Sequence, residues 1–164
     1  MQNYFAYGSN MNLDQMARRC PDSEVVRNVR LDGYELAFCG SENCGFLTIL
    51  PKPGSQVEGV MWSVSDLDIQ RLNHYEGWPR HYRREYLLAK DEKGNQHKVM
   101  VYIMNAPYRD EPAIPSRGYL YGVLEGCKQN KINPAKVMRA AEQATYETRL
   151  QNGPQKTPPR WLLR

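Results

Sequence analysis

A chain of 164 residues with 41% hydrophobic and 24% charged residues is long enough to bury a core, which excludes a disordered or fibrous protein and suggests one globular domain. Its net charge of +4, from 22 basic and 18 acidic residues, is mild and scattered, which argues against a nucleic-acid binder. No apolar run approaches the length of a membrane span, and the N-terminus lacks a basic region followed by a long apolar stretch.

The first predicted strand covers residues 2–7 and runs straight into Gly8-Ser9-Asn10. Small and polar residues there leave backbone N–H groups uncovered, and a strand, a glycine turn and a helix together can cradle a carboxylate or phosphate. The same stretch also reads as a tight turn in a β-rich domain, since no GxGxxG or GxxxxGK[ST] occurs anywhere. A helix follows over residues 12–20, with Asn12 as its cap and Gln15 three residues on, and it ends at Pro21.

Further strands are predicted at 24–31, 34–39, 45–50, 57–64, 83–90 and 97–104. The last two flank Asp91-Glu92-Lys93-Gly94-Asn95, a hairpin turn. Val99, Val101 and Ile103 share one face and Met100, Tyr102 and Met104 the other, so this strand should be central. Ser65 with Asp68 starts a helix at 66–75 that carries Ile69, Leu72 and Tyr75 at helical spacing. Residues 116–130 carry the stripe Leu120, Val123, Leu124 and Cys127. Asn133-Pro134 opens a last helix to about 149, with Val137, Ala140, Ala141 and Ala144 inward. Residues 1–149 read as the domain and 150–164 as a Pro/Gly-rich tail, whose Trp161-Leu162-Leu163 would pack on the domain, on a second copy in a homodimer, or on neither. Hairpin-length links between strands argue against a parallel βαβ sheet, so an α+β domain on a closed or strongly curved sheet is expected.

Glu76 is the first candidate for chemistry. It stands where the 66–75 helix stops, with Gly77 as terminator and Pro79 blocking continuation. A carboxylate there faces the negative end of the helix dipole, and Tyr75, Trp78 and Tyr82 would desolvate it, so its pKa should rise. A raised glutamate suits general acid–base work; a solvated glutamate at a helix end is the plainer reading. Ser9 and Ser116 lie in no GxSxG elbow, and Asp66 and Asp68 read as helix-start acids. His74 and His81 flank Glu76 as surface or supporting groups rather than bases, and Tyr119 either reaches into a cleft or caps the core. Four cysteines form no CxxC pair and three histidines fit no zinc pattern, so no metal is expected. Cys39 and Cys44 lack a nearby basic group and read as inert core thiols, in keeping with a reducing, cytoplasmic setting. Arg80, Arg83 and Arg84 among Trp78, His81 and Tyr82 leave an RNA-associated reading as the weakest alternative.

Three stretches occur in order: Tyr7-Gly8-Ser9-Asn10, then Leu72-Asn73-His74-Tyr75-Glu76-Gly77 before Tyr82, then Pro115-Ser116-Arg117-Gly118-Tyr119. Together they resemble the γ-glutamylcyclotransferase family, collinearly from about residue 3 to residue 130, with Val57-Glu58-Gly59-Val60-Met61-Trp62 matching a further strand. The resemblance implies a small mixed-strand β-barrel with packed helices. It implies that Gly8, Ser9 and Asn10 hold the glutamyl unit with Tyr7 and Met11 flanking, that Tyr82 and Tyr119 line the pocket, and that Glu76 is the catalytic acid–base. It implies release of 5-oxoproline from a γ-glutamyl amino acid, peptide or amine-containing small molecule, with no cofactor. The YGSN loop, unlike a YGTL-type loop, places the chain nearer the amino-acid and peptide branch. The expected partner is a small γ-glutamyl substrate, on a monomer or homodimer, with no nucleic acid or membrane. The rival reading is a binding protein on the same fold without turnover.

Overall fold

A computed structural model describes residues 1–41 and 44–152 of the chain. Five strands, β1 (Gln2–Ala6), β2 (Glu24–Ser41), β3 (Cys44–Val64), β4 (Tyr82–Lys90) and β5 (Gln96–Met104), form a closed barrel in the order β1-β3-β2-β4-β5. β1 is antiparallel to β3, with Tyr4 opposite Trp62, and parallel to β5, with Tyr4 opposite Met100. β2 meets β4 where Arg30 faces Lys90, and β4 pairs antiparallel with β5 from Tyr82–Met104 to Lys90–Gln96. The expected mixed-strand barrel is therefore present. Val99 to Met104 are all buried, as expected of a central strand.

The four central strands expected over residues 24–64 are two long ones. β2 and β3 pair from Glu24–Ser63 to Ser41–Cys44, with irregularities at Val25/Arg27 and Asp32/Tyr34. Residues 52–55, between Pro51 opposite Tyr34 and Gln56 opposite Asp32, bulge out of the ladder. The ladder thus runs on through the gap left between the strands expected at 45–50 and 57–64.

Four helices pack on the barrel. α1 (Leu13–Arg19) follows a single 3-10 turn at Ser9–Met11 and starts where the Asn12 side chain accepts from the Gln15 N–H. α2 (Asp66–Glu76) begins with a complete capping box between Ser65 and Asp68. α3 (Arg117–Gln129) starts at Ser116, whose Oγ accepts from the Tyr119 N–H at 3.2 Å, and it buries Leu120, Val123 and Cys127. α4 (Ala135–Asn152) lays Val137, Ala140, Ala141 and Ala144 against the body, mainly on β2. Its last residues occupy the start of the segment expected to be a tail; Trp161-Leu162-Leu163 lie outside the described residues. Among the described residues no helix is long and apolar enough to cross a membrane.

Candidate active site

The site forms where β1 and β5 finish and β4 begins. Tyr7 and the 3-10 turn leave the end of β1, Tyr82 opens β4, Phe46 and Leu47 come from β3, Glu76 ends α2 and Tyr119 stands in the first turn of α3. Together with Tyr4, Tyr75, His81 and Tyr102 they enclose a cavity of about 110 Å³.

Glu76 is placed by its own helix. The capping box fixes the start of α2, and Gly77 ends it in the left-handed conformation at φ 65°, its N–H returning to the carbonyls of Asn73 and His74. Trp78 closes the turn with a 2.9 Å bond from its N–H to the Asn73 carbonyl. Burial raises the Glu76 carboxyl to about 7, and the charge of Arg19 works against that rise. The expected aromatic surroundings need one correction. Trp78 is 38% exposed, lies under the Arg84 guanidinium at 4.0 Å and does not line the cavity.

The 3-10 turn defines which backbone donors are open. Met11 N–H and Asn12 N–H bond to the carbonyls of Gly8 and Ser9, and Ser9 N–H is directed at the Tyr119 oxygen, which leaves Asn10 N–H as the anion-holding candidate. The Ser9 and Asn10 side chains are buried. Ser9 Oγ meets the Tyr75 hydroxyl at 3.0 Å. Arg19, held over the Tyr75 ring, donates to Asn10 Oδ1. That orientation turns Asn10 Nδ2 toward the Tyr4 hydroxyl at 2.9 Å and Glu76 Oε1 at 3.5 Å.

The tyrosines differ in what they leave free. Tyr7 donates to the Tyr102 carbonyl, Tyr82 to the Leu47 carbonyl at 2.9 Å and Tyr102 to Asn73 Oδ1 at 2.7 Å. The Tyr119 oxygen instead accepts, from the Leu47 N–H at 3.2 Å, so its own proton can turn to a bound oxygen. Burial holds the Tyr119 hydroxyl far above neutrality, which keeps that proton in place. Of its two expected positions, cleft or core cap, Tyr119 takes the cleft.

Met11 stands apart from the other expected site residues. It is fully buried on the α3 side of the turn, where the Asn130 side chain donates to its carbonyl at 2.7 Å, and it does not line the cavity. A 3-10 turn advances each residue by a third of a revolution, so Met11 cannot share the direction of Ser9. His81, expected to be peripheral, is a wall of the cavity, and its burial lowers its pKa. Cys39 is buried with its thiol pushed up to about 11, whereas Cys44 is exposed rather than a core residue. Arg83 and Arg84 are engaged within the protein, with Glu85 and Asn73, which weakens an RNA reading. Among the described residues no cluster of His, Cys, Asp or Glu could hold a metal ion. Arg19, Tyr4, Phe46 and Tyr102 carry no local sequence signal; barrel closure assembles them.

Comparison with known proteins places these features in context. The model of the family described as gamma-glutamyl cyclotransferase, AIG2-like, matches residues 4–121. That span runs from Tyr4 to just beyond Tyr119, and so takes in the whole cavity wall. Gamma-glutamylcyclotransferase of Homo sapiens is 28% identical over 137 residues, covering 79% of this chain and 71% of the human protein. The Bos taurus gamma-glutamylcyclotransferase is 31% identical over the same shares. Among solved structures, an uncharacterized Homo sapiens protein superposes with a TM-score of 0.74 at 25% identity, over 96% of this chain and 92% of that one. A structure titled gamma-glutamyl cyclotransferase gives 0.74 at 24% identity, over 99% and 95%.

Proposed function

This chain belongs to the gamma-glutamyl cyclotransferase, AIG2-like family and is an enzyme of the γ-glutamylcyclotransferase type, and we propose that it releases 5-oxoproline from γ-glutamyl amino acids or peptides with Glu76 as base and then acid. The observation that carries this reading is a carboxyl raised to about 7 on the wall of a cavity of about 110 Å³, beside a turn that offers the Asn10 N–H. Pockets that enclose a drug-sized molecule measure roughly 300 Å³ or more, so this one suits a glutamyl unit and leaves the departing amine outside.

A γ-glutamyl compound carries its own nucleophile, and holding it folded supplies much of the rate. The Asn10 N–H grips the substrate α-carboxylate. Glu76 takes a proton from the α-ammonium, and the freed nitrogen bonds to the γ-carbonyl carbon and closes a five-membered ring. The negative charge that collects on the γ-oxygen is met by the Tyr119 hydroxyl proton. Glu76 passes its proton to the leaving nitrogen, collapse of the tetrahedral centre breaks the bond to it, and the departing amine takes up the ring nitrogen's remaining extra proton and leaves as an ammonium. Tyr7 and Tyr82, committed to carbonyl groups, shape the wall rather than donate. Asn10 orients Glu76, and Gly8 lets the turn approach Tyr119. The unpaired cysteines fit a reducing, cytoplasmic setting.

The test is 5-oxoproline release from γ-glutamyl-alanine, glutathione, γ-glutamyl-ε-lysine and a γ-glutamylated polyamine by the wild type and Glu76→Gln. The variant should keep its fold and substrate binding and lose about 100-fold or more in kcat, the scale of general acid–base catalysis. A fully active variant removes Glu76 from the mechanism.

A further inference from the structure

We propose that the amine leaving the reaction is received on an aromatic shelf formed by Phe46, His81 and Tyr108, and that the shelf selects γ-glutamyl compounds whose leaving amino acid has an aromatic or bulky apolar side chain. The inference rests on the 5-oxoproline-releasing reading of the site, whose leaving-group side it defines.

The cavity that encloses Glu76 has a neighbour. A cleft of about 240 Å³ lies beyond it, lined by Gly40, Ser41, Cys44, Phe46, His81 and Tyr108. Phe46 and His81 line both spaces and are therefore the partition between them. A glutamyl unit seated against the turn has its γ-carbonyl substituent directed away from it, and this partition is a wall that substituent can cross.

The partition continues a run of rings. Tyr119 and Phe46 lie edge to face with centroids 5.1 Å apart, Phe46 and His81 at 6.2 Å, and His81 and Tyr108 at 4.7 Å. The series leads from the hydroxyl assigned to the developing oxyanion out to the cleft. It is also fixed in place. The His81 N–H bonds to the Gly77 carbonyl at 2.8 Å, the Asn105 N–H to the His81 carbonyl at 2.9 Å, and the Arg109 N–H to the Asn105 carbonyl at 3.1 Å. The end of α2 that carries Glu76 and the 3-10 turn Tyr108–Asp110 that carries Tyr108 are thus tied through His81.

The chemistry of the cleft sets its preference. None of the six described residues that line it is acidic or permanently charged, and burial favours the neutral form of His81. A distal ammonium, as on a polyamine, finds no counter-charge among the described residues there. Burying an aromatic side chain against three rings gains more than an exposed cation–π contact.

The experiment compares kcat/KM for γ-glutamyl-phenylalanine, γ-glutamyl-alanine and γ-glutamyl-putrescine on the wild type and Tyr108→Ala. The wild type should favour phenylalanine over alanine by about 10-fold or more, the discrimination an apolar pocket achieves, with putrescine last. In Tyr108→Ala that preference should shrink to about 3-fold or less, chiefly through loss of the phenylalanine compound. Equal use of the three by the wild type, preference for putrescine, or a uniform loss in Tyr108→Ala overturns the shelf. Absence of 5-oxoproline from every compound would instead overturn the proposed reaction. Calorimetric titration of γ-glutamyl-phenylalanine and γ-glutamyl-alanine into both proteins then decides the shelf alone: tighter phenylalanine binding that Tyr108→Ala removes supports it, and equal binding ends it.

Discussion

The proton affinity of Glu76 follows from a contest between burial, which raises it to about 7, and the charge of Arg19, which lowers it. Burial first, and then the carboxylate in turn, raises the tyrosines around it: Tyr4 and Tyr7 from the β1 segment, Tyr82 from β4, Tyr102 from β5 and Tyr119 from α3. All are shifted upward, so they stay neutral and Arg19 supplies the charge that tunes the base. Its second task is geometric, because its bond to Asn10 Oδ1 fixes which end of that amide faces Glu76. If the ionised carboxylate starts the reaction, kcat/KM should rise tenfold per pH unit on the acid side and level off near 7, the value set by burial. Arg19→Met should move that limb to higher pH by about half a unit or more, since an attractive charge has been removed. Arg19→Lys should keep the limb near its original place and lower kcat, because the charge remains while the planar fork is lost. A pH–rate profile of the three proteins checks this, and an unmoved limb in Arg19→Met would show that Arg19 is only structural.

The turn that carries Ser9 and Asn10 is only three residues long, and α3 holds it in position. Asn12 Nδ2 donates to the Gly122 carbonyl at 3.0 Å, Leu13 N–H to Gln129 Oε1 at 2.8 Å, and Asn130 to the Met11 carbonyl at 2.7 Å. Gly126 makes this contact possible, because a methyl there would stand 2.8 Å from the Asn12 nitrogen and 2.9 Å from the Met11 carbonyl carbon. Gly126→Ala should therefore cost about 1–3 kcal/mol by overpacking and depress kcat/KM more than stability alone explains, since the displaced element carries the anion-holding Asn10 N–H. Gly122→Ala meets the flexible end of Gln15 at 2.6 Å and should cost less. Thermal unfolding and kinetics of both variants would show it; equal effects would mean that α3 does not position the turn. The same elements show what can be read from a sequence. Asn12, Ser65 and Gly77 declare helix ends because capping is local chemistry, and Glu76 stood out for the same reason. The joined length of β2 and β3 was hidden, because Gly33 in one strand and Pro51 and Pro53 in the other signal breaks to a local reading, whereas Pro51 keeps its place opposite Tyr34 and the bulge takes up only residues 52–55. Met11 was placed beside the site by the resemblance, and the 3-10 geometry turns it toward α3 instead.

At the scale of the whole barrel the site consists of residues far apart in sequence, brought together by strand register. Tyr4 lies opposite Met100, and Tyr82 opposite Met104, so the end of β5 and the beginning of β4 deliver their rings to one cavity. No local pattern encodes that meeting, which is why Tyr4, Tyr102 and Phe46 escaped the sequence reading while Tyr82 and Tyr119 entered it through resemblance. Closure also makes the site a charge on global stability. Folding raises the Glu76 carboxyl from 4.5 to about 7, so the native state holds its proton more firmly than the unfolded chain does. The resulting contribution to stability is fully present below about 4.5, shrinks as pH rises through about 7, and is constant beyond. Glu76→Gln lacks this titration. Wild type and variant should converge in slope below that window, and the variant should gain on the wild type across it, by at most about 3–4 kcal/mol at pH 8. Urea unfolding of both proteins at about pH 5 and pH 8 measures the difference, with the linkage relation fixing its sign. Parallel pH dependence in the two proteins would mean that the carboxyl titrates near its ordinary value, and the base assigned to the reaction would lose its physical basis.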